Sequence, residues 1–250
     1  MQSFLSFGRF HIPVYGLFAA VGMMCAMVLG QRTARLARID PDAFWDAGMV
    51  AVFAAFVLSR ALLVVENLRT FLKYPVLVLE LPSLTTGGLA LTAIVFLFYL
   101  RRRQLPLLKV LDAAAPCAAL LLTFLWLGRF AEGTRDGMPA TVPWAVASSF
   151  GRVHPVEFYT AMLWIVLCAA LLWILRHAQR DGETGAWGLI LCGLMLFFME
   201  FFRLPTVLYA VTLLDGQQLH GLCLMVAGGL LLAWRMGTGP RDPKGVVDAV

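Results

Sequence analysis

The chain has 250 residues, of which 60% are hydrophobic and only 14% are charged, with a formal net charge of +5. Soluble globular domains carry about 25% charged and 45–50% apolar residues, so this composition excludes an ordinary soluble domain. The apolar stretches are long and continuous rather than alternating, which excludes a membrane β-barrel and indicates an all-α integral membrane protein.

Seven apolar runs follow one another along the chain, and each approaches the roughly 20 residues that a membrane-spanning helix needs. The start of the third run is interrupted by Pro82 and by Gly87-Gly88, so we expect a broken or re-entrant entry there, covered by protein or water. The runs predict a single polytopic membrane domain over 1–250, with spans at about 13–30, 43–65, 84–100, 110–128, 156–175, 186–202 and 217–234.

The basic residues predict the orientation of these spans. Twelve of the 20 lysines and arginines follow spans 1, 3, 5 and 7, seven lie on the opposite side, and Arg60 lies within span 2. Because cytoplasmic loops are enriched in Lys and Arg, we expect the N-terminus outside and a cytoplasmic tail at 236–250. This distribution accounts for the positive charge without nucleic acid, and no nucleic-acid partner is expected.

The longest polar insertion between spans lies at 129–155, on the predicted outer side. A loop of this length is uncommon in a compact protein unless it is functional or disordered, and this one is too aromatic and apolar to be disordered. We therefore predict a structured periplasmic head insertion between spans 4 and 5. A plain surface loop with interfacial aromatic residues is the alternative.

A glutamate and an arginine interrupt span 6 in the stretch FFMEFFRLP at 197–205. Either charge costs about 2.5–3.5 kcal/mol at the centre of a bilayer on insertion scales. At helical spacing Glu200 and Arg203 share one face and can pair. The pair predicts either an ion pair that locks helix packing or a polar cavity, in which an arginine suits the phosphate of a lipid headgroup.

Short motifs in a fixed order resemble the prolipoprotein diacylglyceryl transferases of bacteria, along nearly the whole chain. Each motif is short, and the order and spacing relative to the spans carry the resemblance. The matching stretches are Val14-Tyr15-Gly16-Leu17, Ser59-Arg60, Gly87-Gly88-Leu89, Gly128-Arg129-Phe130, His154-Pro155-x-x-x-Tyr159, Glu200-Phe201-Phe202-Arg203-x-Pro205 and Gly216-Gln217.

The resemblance implies a seven-helix enzyme of the bacterial inner membrane that opens sideways to the lipid bilayer, with its active side facing the periplasm. Enzymes of this family transfer diacylglycerol from phosphatidylglycerol to the lipobox cysteine thiol of a preprolipoprotein and release glycerol phosphate. The thiol needs a base, because a free cysteine is only a few per cent thiolate at neutral pH. The leaving phosphate needs cations. No metal and no other cofactor is implied.

The resemblance also implies roles for individual residues. Arg129 and Arg203 are expected to bind the lipid phosphate, with support from Arg60 in span 2. Either His154 or Glu132 is expected to act as the base. The residues expected to support the site are Tyr15 and Tyr159, which would position the headgroup, together with Glu200, Thr86, Gly87, Gly88 and Gln217.

Several polar positions depart from the family pattern. Thr86 stands where a histidine normally precedes Gly-Gly, and a threonine cannot serve as a general base near neutral pH. Leu196 and Thr160 stand where the family carries an arginine and a glutamate. The span-4 signature fits in two ways, one that retains Arg129 and one, without a gap, that places Trp126 at the family arginine.

These departures leave three hypotheses. The first is a working but divergent diacylglyceryl transferase. The second is a non-catalytic paralogue that binds lipid or a partner protein, and the third is a related transferase with another lipid or acceptor. Diacylglyceryl modification of a lipoprotein in a strain depleted of its own transferase would discriminate the first from the other two.

Overall fold

Helices make up most of the chain in a computed structural model, which describes residues 4–7, 10–73, 85–133, 137–148, 151–203 and 215–237. Two short antiparallel hairpins accompany them, β1 with β2 and β3 with β4. The elements in chain order are β1 (Phe4–Phe7), β2 (Phe10–Pro13), α1 (Val14–Leu36), α2 (Pro41–Glu66), α3 (Leu68–Lys73), α4 (Thr86–Arg102), α5 (Leu107–Glu132), β3 (Val146–Ser148), β4 (Gly151–Val153), α6 (Val156–His177), α7 (Glu183–Met199), a 3₁₀ turn (Glu200–Phe202) and α8 (Gly216–Gly237).

Among the described residues, six helices are long and apolar enough to cross a membrane: α1, α2, α5, α6, α7 with its 3₁₀ turn, and α8. They coincide with six of the seven predicted spans, which confirms the all-α integral membrane fold. The remaining span corresponds to α4, which has 17 residues. At 1.5 Å per residue α4 reaches about 25 Å, less than the roughly 30 Å of a hydrocarbon core. A seventh crossing and the orientation of the bundle stay predictions, and Pro82 and 238–250 lie outside the described residues.

The helix α5 runs further than its hydropathy indicates, and this moves two predicted site residues. The apolar pattern predicts an end near Gly128, whereas the helix continues to Glu132 and ends at Gly133, whose φ of 92° is left-handed. Such a glycine terminates a helix at low cost because it has no Cβ. Arg129 and Glu132 therefore belong to the last turn of α5 rather than to a loop.

The helices pack in neighbouring pairs around α5. The closest pairs are α1 with α5, α5 with α6, α7 with α8, and α2 with α4. A buried core lies where α5, α6 and α7 meet, and its members include Ala119, Trp164, Leu167, Leu171 and Met195. The helix α5 is thus the common neighbour of α1, α6 and α7.

A carboxylate near the start of α5 caps the start of α7. Asp112 is fully buried, and its two carboxylate oxygens accept the N–H groups of Gly182 at 2.7 Å and Gly185 at 2.9 Å. The first N–H groups of a helix have no partner within the helix, and a negative charge there also suits the helix dipole. The charge of Asp112 inside a predicted span is explained by this cap.

The Gly87-Gly88 pair lets α4 approach α2 closely. A Cβ on Gly88 would collide with the Cα and Oγ of Ser59, which is fully buried, and a Cβ on Gly87 would meet Leu62 at 2.5 Å. Two of the motifs that resemble the family therefore meet in one contact between α4 and α2. These are the Gly87-Gly88 motif and the motif that contains Ser59.

We expect Gly88→Ala to lower the free energy of unfolding by about 1–3 kcal/mol, the usual cost of overpacking, because α2 and α4 must separate. Gly229→Ala on α8 is the matched control, since a Cβ there meets no atom within 4 Å. Thermal unfolding of both variants in detergent measures the difference. Equal unfolding temperatures for the two variants would contradict the close contact.

Candidate functional site

Segment 137–148, in the predicted head insertion, folds back onto the C-terminal end of α7. Segment 137–140 forms bridges to β4 on one side and to Arg203 on the other. The N–H of Met138 donates to the Phe202 carbonyl at 2.9 Å, and the N–H of His154 donates to the Met138 carbonyl at 3.0 Å. These backbone bonds fix the positions of both His154 and Arg203.

Two arginines stack on one indole at the predicted outer end of the bundle. The guanidinium carbon of Arg129 lies 4.9 Å from the ring centroid of Trp126, and that of Arg203 lies 4.8 Å from the same centroid. The two carbons are therefore separated by less than the sum of these distances. Both predicted phosphate-binding residues thus lie in one half-buried cluster, which we call the Trp126 cluster.

The ion pair expected from the spacing of Glu200 and Arg203 is present. An Nη1 atom of Arg203 lies 3.9 Å from Oε2 of Glu200, and the side chains are 19% and 8% exposed, respectively. The Nε atom of Arg203 is buried and has no hydrogen-bond acceptor among the residues that the structure describes. Arg203 therefore retains a donor for an additional acceptor.

A second carboxyl group lies beside Glu200 at the start of α8. The Asp215 side chain is within hydrogen-bonding reach of Glu200 and also accepts the N–H of Gly216. Gln218 is buried and its Oε1 accepts the N–H of Asp215 at 3.1 Å. The predicted residue Gln217 is exposed, so the adjacent glutamine makes this contact. The pattern Asp215-x-x-Gln218, a helix capping signal, could have identified it.

Glu132 and Tyr15 are in contact, but the contact is between the Glu132 carboxylate and the Tyr15 backbone rather than between two side chains. Oε1 of Glu132 accepts the backbone N–H of Tyr15 at 3.3 Å, in the first turn of α1. A carboxylate there satisfies a helix donor and suits the positive end of the dipole. The structure thus gives Glu132 a role in joining α5 to α1 that its expected role as base did not include.

His154 lies in an aromatic cluster next to Arg203. Its Nδ1 is 3.5 Å from the Tyr159 hydroxyl, which accepts the indole N–H of Trp144 at 2.6 Å. The imidazole also packs edge-on against Phe202, with 5.7 Å between ring centroids. His154 is half-buried, and Phe202 directly precedes Arg203 in the chain.

The other predicted residues belong to the neighbourhood of α2 and α4. The guanidinium carbon of Arg60 lies 5.5 Å from the ring centroid of Phe71 in α3. Thr86 is exposed in the first turn of α4, and Thr85 caps that helix by accepting the N–H of Gly88 at 3.1 Å. A common site for Arg60, Thr86 and the Trp126 cluster stays a prediction.

Two residues at the predicted outer end of the bundle were not among the sequence candidates for the site. Trp126 precedes Arg129 by three residues on α5, so the helical i, i+3 spacing was the available signal for their contact. Glu157 is a 1% exposed carboxylate in the first turn of α6, a position that favours acidic residues. Nothing local in the sequence indicates the contact between Trp126 and Arg203.

Helices that can span a membrane and two arginines held against one indole define a polytopic membrane protein with a cationic site at one end of its bundle. A sequence model of the prolipoprotein diacylglyceryl transferase family matches residues 2–234, and the chain belongs to this family. The resemblance predicted from the short motifs is thereby confirmed.

The chain is also similar in sequence to proteins named phosphatidylglycerol–prolipoprotein diacylglyceryl transferase. The protein of Clostridium tetani is 24% identical over 198 residues, which are 76% of this chain and 80% of the relative. That of Finegoldia magna is 25% identical over 236 residues, 91% of this chain and 93% of the relative. That of Verminephrobacter eiseniae is 34% identical over 154 residues, 58% of this chain and 56% of the relative.

We expect Glu132→Ala to lower the free energy of unfolding by about 1 kcal/mol, the usual cost of a lost helix cap. Glu132→Gln should stay close to the wild type, because its amide oxygen can still accept the Tyr15 N–H. Thermal unfolding of the purified variants provides the measurement. A Gln variant as unstable as the Ala variant would show that the cap needs the charge.

Proposed function

We propose that this protein transfers a diacylglyceryl group from phosphatidylglycerol to the lipobox cysteine thiol of a prolipoprotein. Family membership supports the reaction, as do the names of relatives that cover most of the chain. The observation that carries the proposal is the Trp126 cluster, which holds two guanidinium groups beside one ring. One guanidinium group can donate two parallel N–H bonds to two phosphate oxygens. The headgroup of phosphatidylglycerol carries such a phosphate.

The Trp126 cluster suits the leaving group of this reaction. A thiolate sulfur forms a bond to the carbon of the diacylglyceryl group that carries the phosphate. The bond from that carbon to the phosphate oxygen breaks. The bonding pair leaves with glycerol phosphate, so negative charge increases on oxygen. Arg129 and Arg203 offset that charge, with Arg60 approaching from α2, and Glu200 orients Arg203.

His154 is the base that best fits the contacts of the site. Glu132, the other candidate, already accepts a backbone N–H of α1. His154 is half-buried, lies beside Phe202 and is tied through Met138 to the strand segment of Arg203. An imidazole can take a thiol proton near neutral pH. Tyr159, near Nδ1 of His154, orients the ring, and Tyr15 lies at the start of α1 where the headgroup enters.

The active side faces the periplasm in this proposal. The distribution of basic residues supports an inside location for the opposite ends of the helices. The Trp126 cluster and His154 would then lie at the level of the outer-leaflet headgroups. Phosphatidylglycerol would enter sideways from the bilayer, and the preprolipoprotein would present its cysteine from the same side.

Expression in a strain depleted of its own transferase tests the activity. We expect diacylglyceryl modification of a reporter lipoprotein, detected by mass spectrometry of its N-terminal peptide. A reporter whose lipobox cysteine is replaced by serine is the control, because it lacks the acceptor thiol. Absence of modification with the protein stably inserted in the membrane would contradict the proposal.

Substitutions at the two candidate bases separate their roles. We expect His154→Ala to lower the rate of transfer by about 10²–10⁴, the usual contribution of a general base. Glu132→Gln should retain most of the activity, because it keeps an acceptor for the Tyr15 N–H. The opposite result, with activity kept by His154→Ala and lost by Glu132→Gln, would assign the base to Glu132.

Arg203→Lys tests the phosphate contact while keeping the positive charge. A lysine can neither stack as a plane nor bind two oxygens at once, so kcat/KM for phosphatidylglycerol should fall by about 10²–10³. Arg152→Lys is the matched control on the head, because Arg152 is exposed and donates to the carbonyls of Pro143 and Ala145. An equal loss in both variants would contradict a specific role for Arg203.

A non-catalytic lipid-binding paralogue is the second candidate function. The exposed Thr86, in place of the family histidine, is the observation that favours it. Such a protein would bind phosphatidylglycerol through the Trp126 cluster without modifying the reporter. Binding without transfer would establish this alternative.

A further inference from the structure

One aromatic ring joins two arginines that come from separate parts of the chain. Trp126 and Arg129 lie one turn apart on α5, whereas Arg203 follows the 3₁₀ turn after α7. Both guanidinium carbons lie within 5 Å of the Trp126 centroid, at 4.9 and 4.8 Å. The ring therefore contacts both guanidinium groups, and the two guanidinium carbons are separated by less than about 10 Å, the sum of these two distances.

Two guanidinium groups on one ring repel each other, and the repulsion increases where water is excluded. The electron-rich face of an indole attracts cations and offsets part of this cost. Glu200 offsets another part for Arg203, but at 3.9 Å it makes a loose ion pair. An anion bound near both guanidinium groups would interact favourably with each of them.

Stacking on a ring leaves the N–H donors of a guanidinium group available for other acceptors, whereas a salt bridge uses them. A carboxylate holds a guanidinium by accepting its N–H groups, whereas an aromatic face contacts the plane and leaves the in-plane N–H donors unused. Arg203 shows this directly, because its Nε is buried without an acceptor among the described residues. Trp126 can hold Arg203 in place while the donor edge remains able to bind oxygen.

We propose that Trp126 is a positioning residue that holds Arg129 and Arg203 together to receive the phosphate of an anionic lipid. The proposal deepens the proposed function and rests on it for the identity of the lipid. Trp126 acts through the arginines, so its role is binding and orientation rather than chemistry. Without the ring, Arg203 would move toward the carboxyl groups of Glu200 and Asp215, which lie beside each other.

The tryptophan also has packing contacts, since its ring lies against the core between α5 and α6. A packing role alone predicts a general loss of stability when the ring is removed. A positioning role predicts weaker binding of anionic lipid with little change in the chemical step. Variants that keep apolar volume but change the ring can separate the two roles.

The experiment compares Trp126→Phe, which keeps a smaller aromatic face, with Trp126→Leu, which keeps apolar volume without one. Trp187→Leu is the matched control, because Trp187 is half-buried near the start of α7, at the opposite end of that helix from Arg203. Purified protein in phosphatidylcholine nanodiscs is titrated with phosphatidylglycerol, and binding is followed by native mass spectrometry. Thermal unfolding is recorded for every variant, and KM and kcat of transfer are measured where transfer occurs.

We expect Trp126→Leu to weaken phosphatidylglycerol binding about tenfold, as two cation–π contacts would predict, and to raise KM by a similar factor with a smaller change in kcat. Trp126→Phe should recover binding to within about threefold of the wild type. Trp187→Leu should bind phosphatidylglycerol as the wild type does. This pattern would support the positioning role even if Trp126→Leu unfolds at a lower temperature.

Wild-type affinity in Trp126→Leu would overturn the inference, as would equal losses of binding in Trp126→Leu and Trp187→Leu. A wild-type protein that does not prefer phosphatidylglycerol over phosphatidylcholine would also overturn it. Failure of the proposed function looks different. In that case the wild type binds phosphatidylglycerol, the Trp126 variants weaken binding as expected, and no diacylglyceryl group reaches the acceptor thiol.

Discussion

Two carboxylates, one near each end of α5, each cap the start of a neighbouring helix. The positions of α7 and α1 in the bundle depend on these caps. Asp112 accepts two N–H groups at the start of α7, and Glu132 accepts the N–H of Tyr15 at the start of α1. The first N–H groups of a helix have no partner within the helix, and these two carboxylates supply acceptors for three of them. An anionic acceptor also interacts favourably with the helix dipole. One helix therefore sets the positions of two others.

The candidate site follows from this arrangement. The turn of α5 that Glu132 anchors also carries Arg129, and Trp126 lies one turn before it. Arg203 reaches the same ring from the end of α7, where segment 137–140 of the head insertion pairs with its backbone. The site is thus assembled from three regions whose main chains are fixed by hydrogen bonds. Binding geometry that depends on such bonds is less easily lost than geometry that depends on long side chains alone.

The sequence predicted the features that membrane physics strongly constrains. Six spans were recognisable because a bilayer core requires long apolar helices, and the pairing of Glu200 with Arg203 followed from their helical spacing. The extension of α5 to Glu132 was not predicted, because polar residues in its last turn resemble a loop.

Tertiary contacts accounted for the other differences. Gly87 and Gly88 match the family pattern, yet only the structure shows that they allow α4 to approach α2. The choice between Gln217 and Gln218 needed the position of the helix start. The contact of Trp126 with Arg203 joins residues distant in the chain, and no local pattern encodes it.

The replacement of the family histidine by Thr86 has a physical consequence for where a base can lie. Thr86 is exposed on α4, Glu132 is engaged with α1, and His154, the base in the proposed function, follows β4. The backbone of Met138 bonds to His154 on one side and to Phe202, next to Arg203, on the other. If His154 accepts the thiol proton and Arg203 binds the leaving phosphate, as proposed, then the backbone of both residues pairs with the same segment, 137–140. A shift of that segment would change both steps together, whereas a base on α4 would be independent of it.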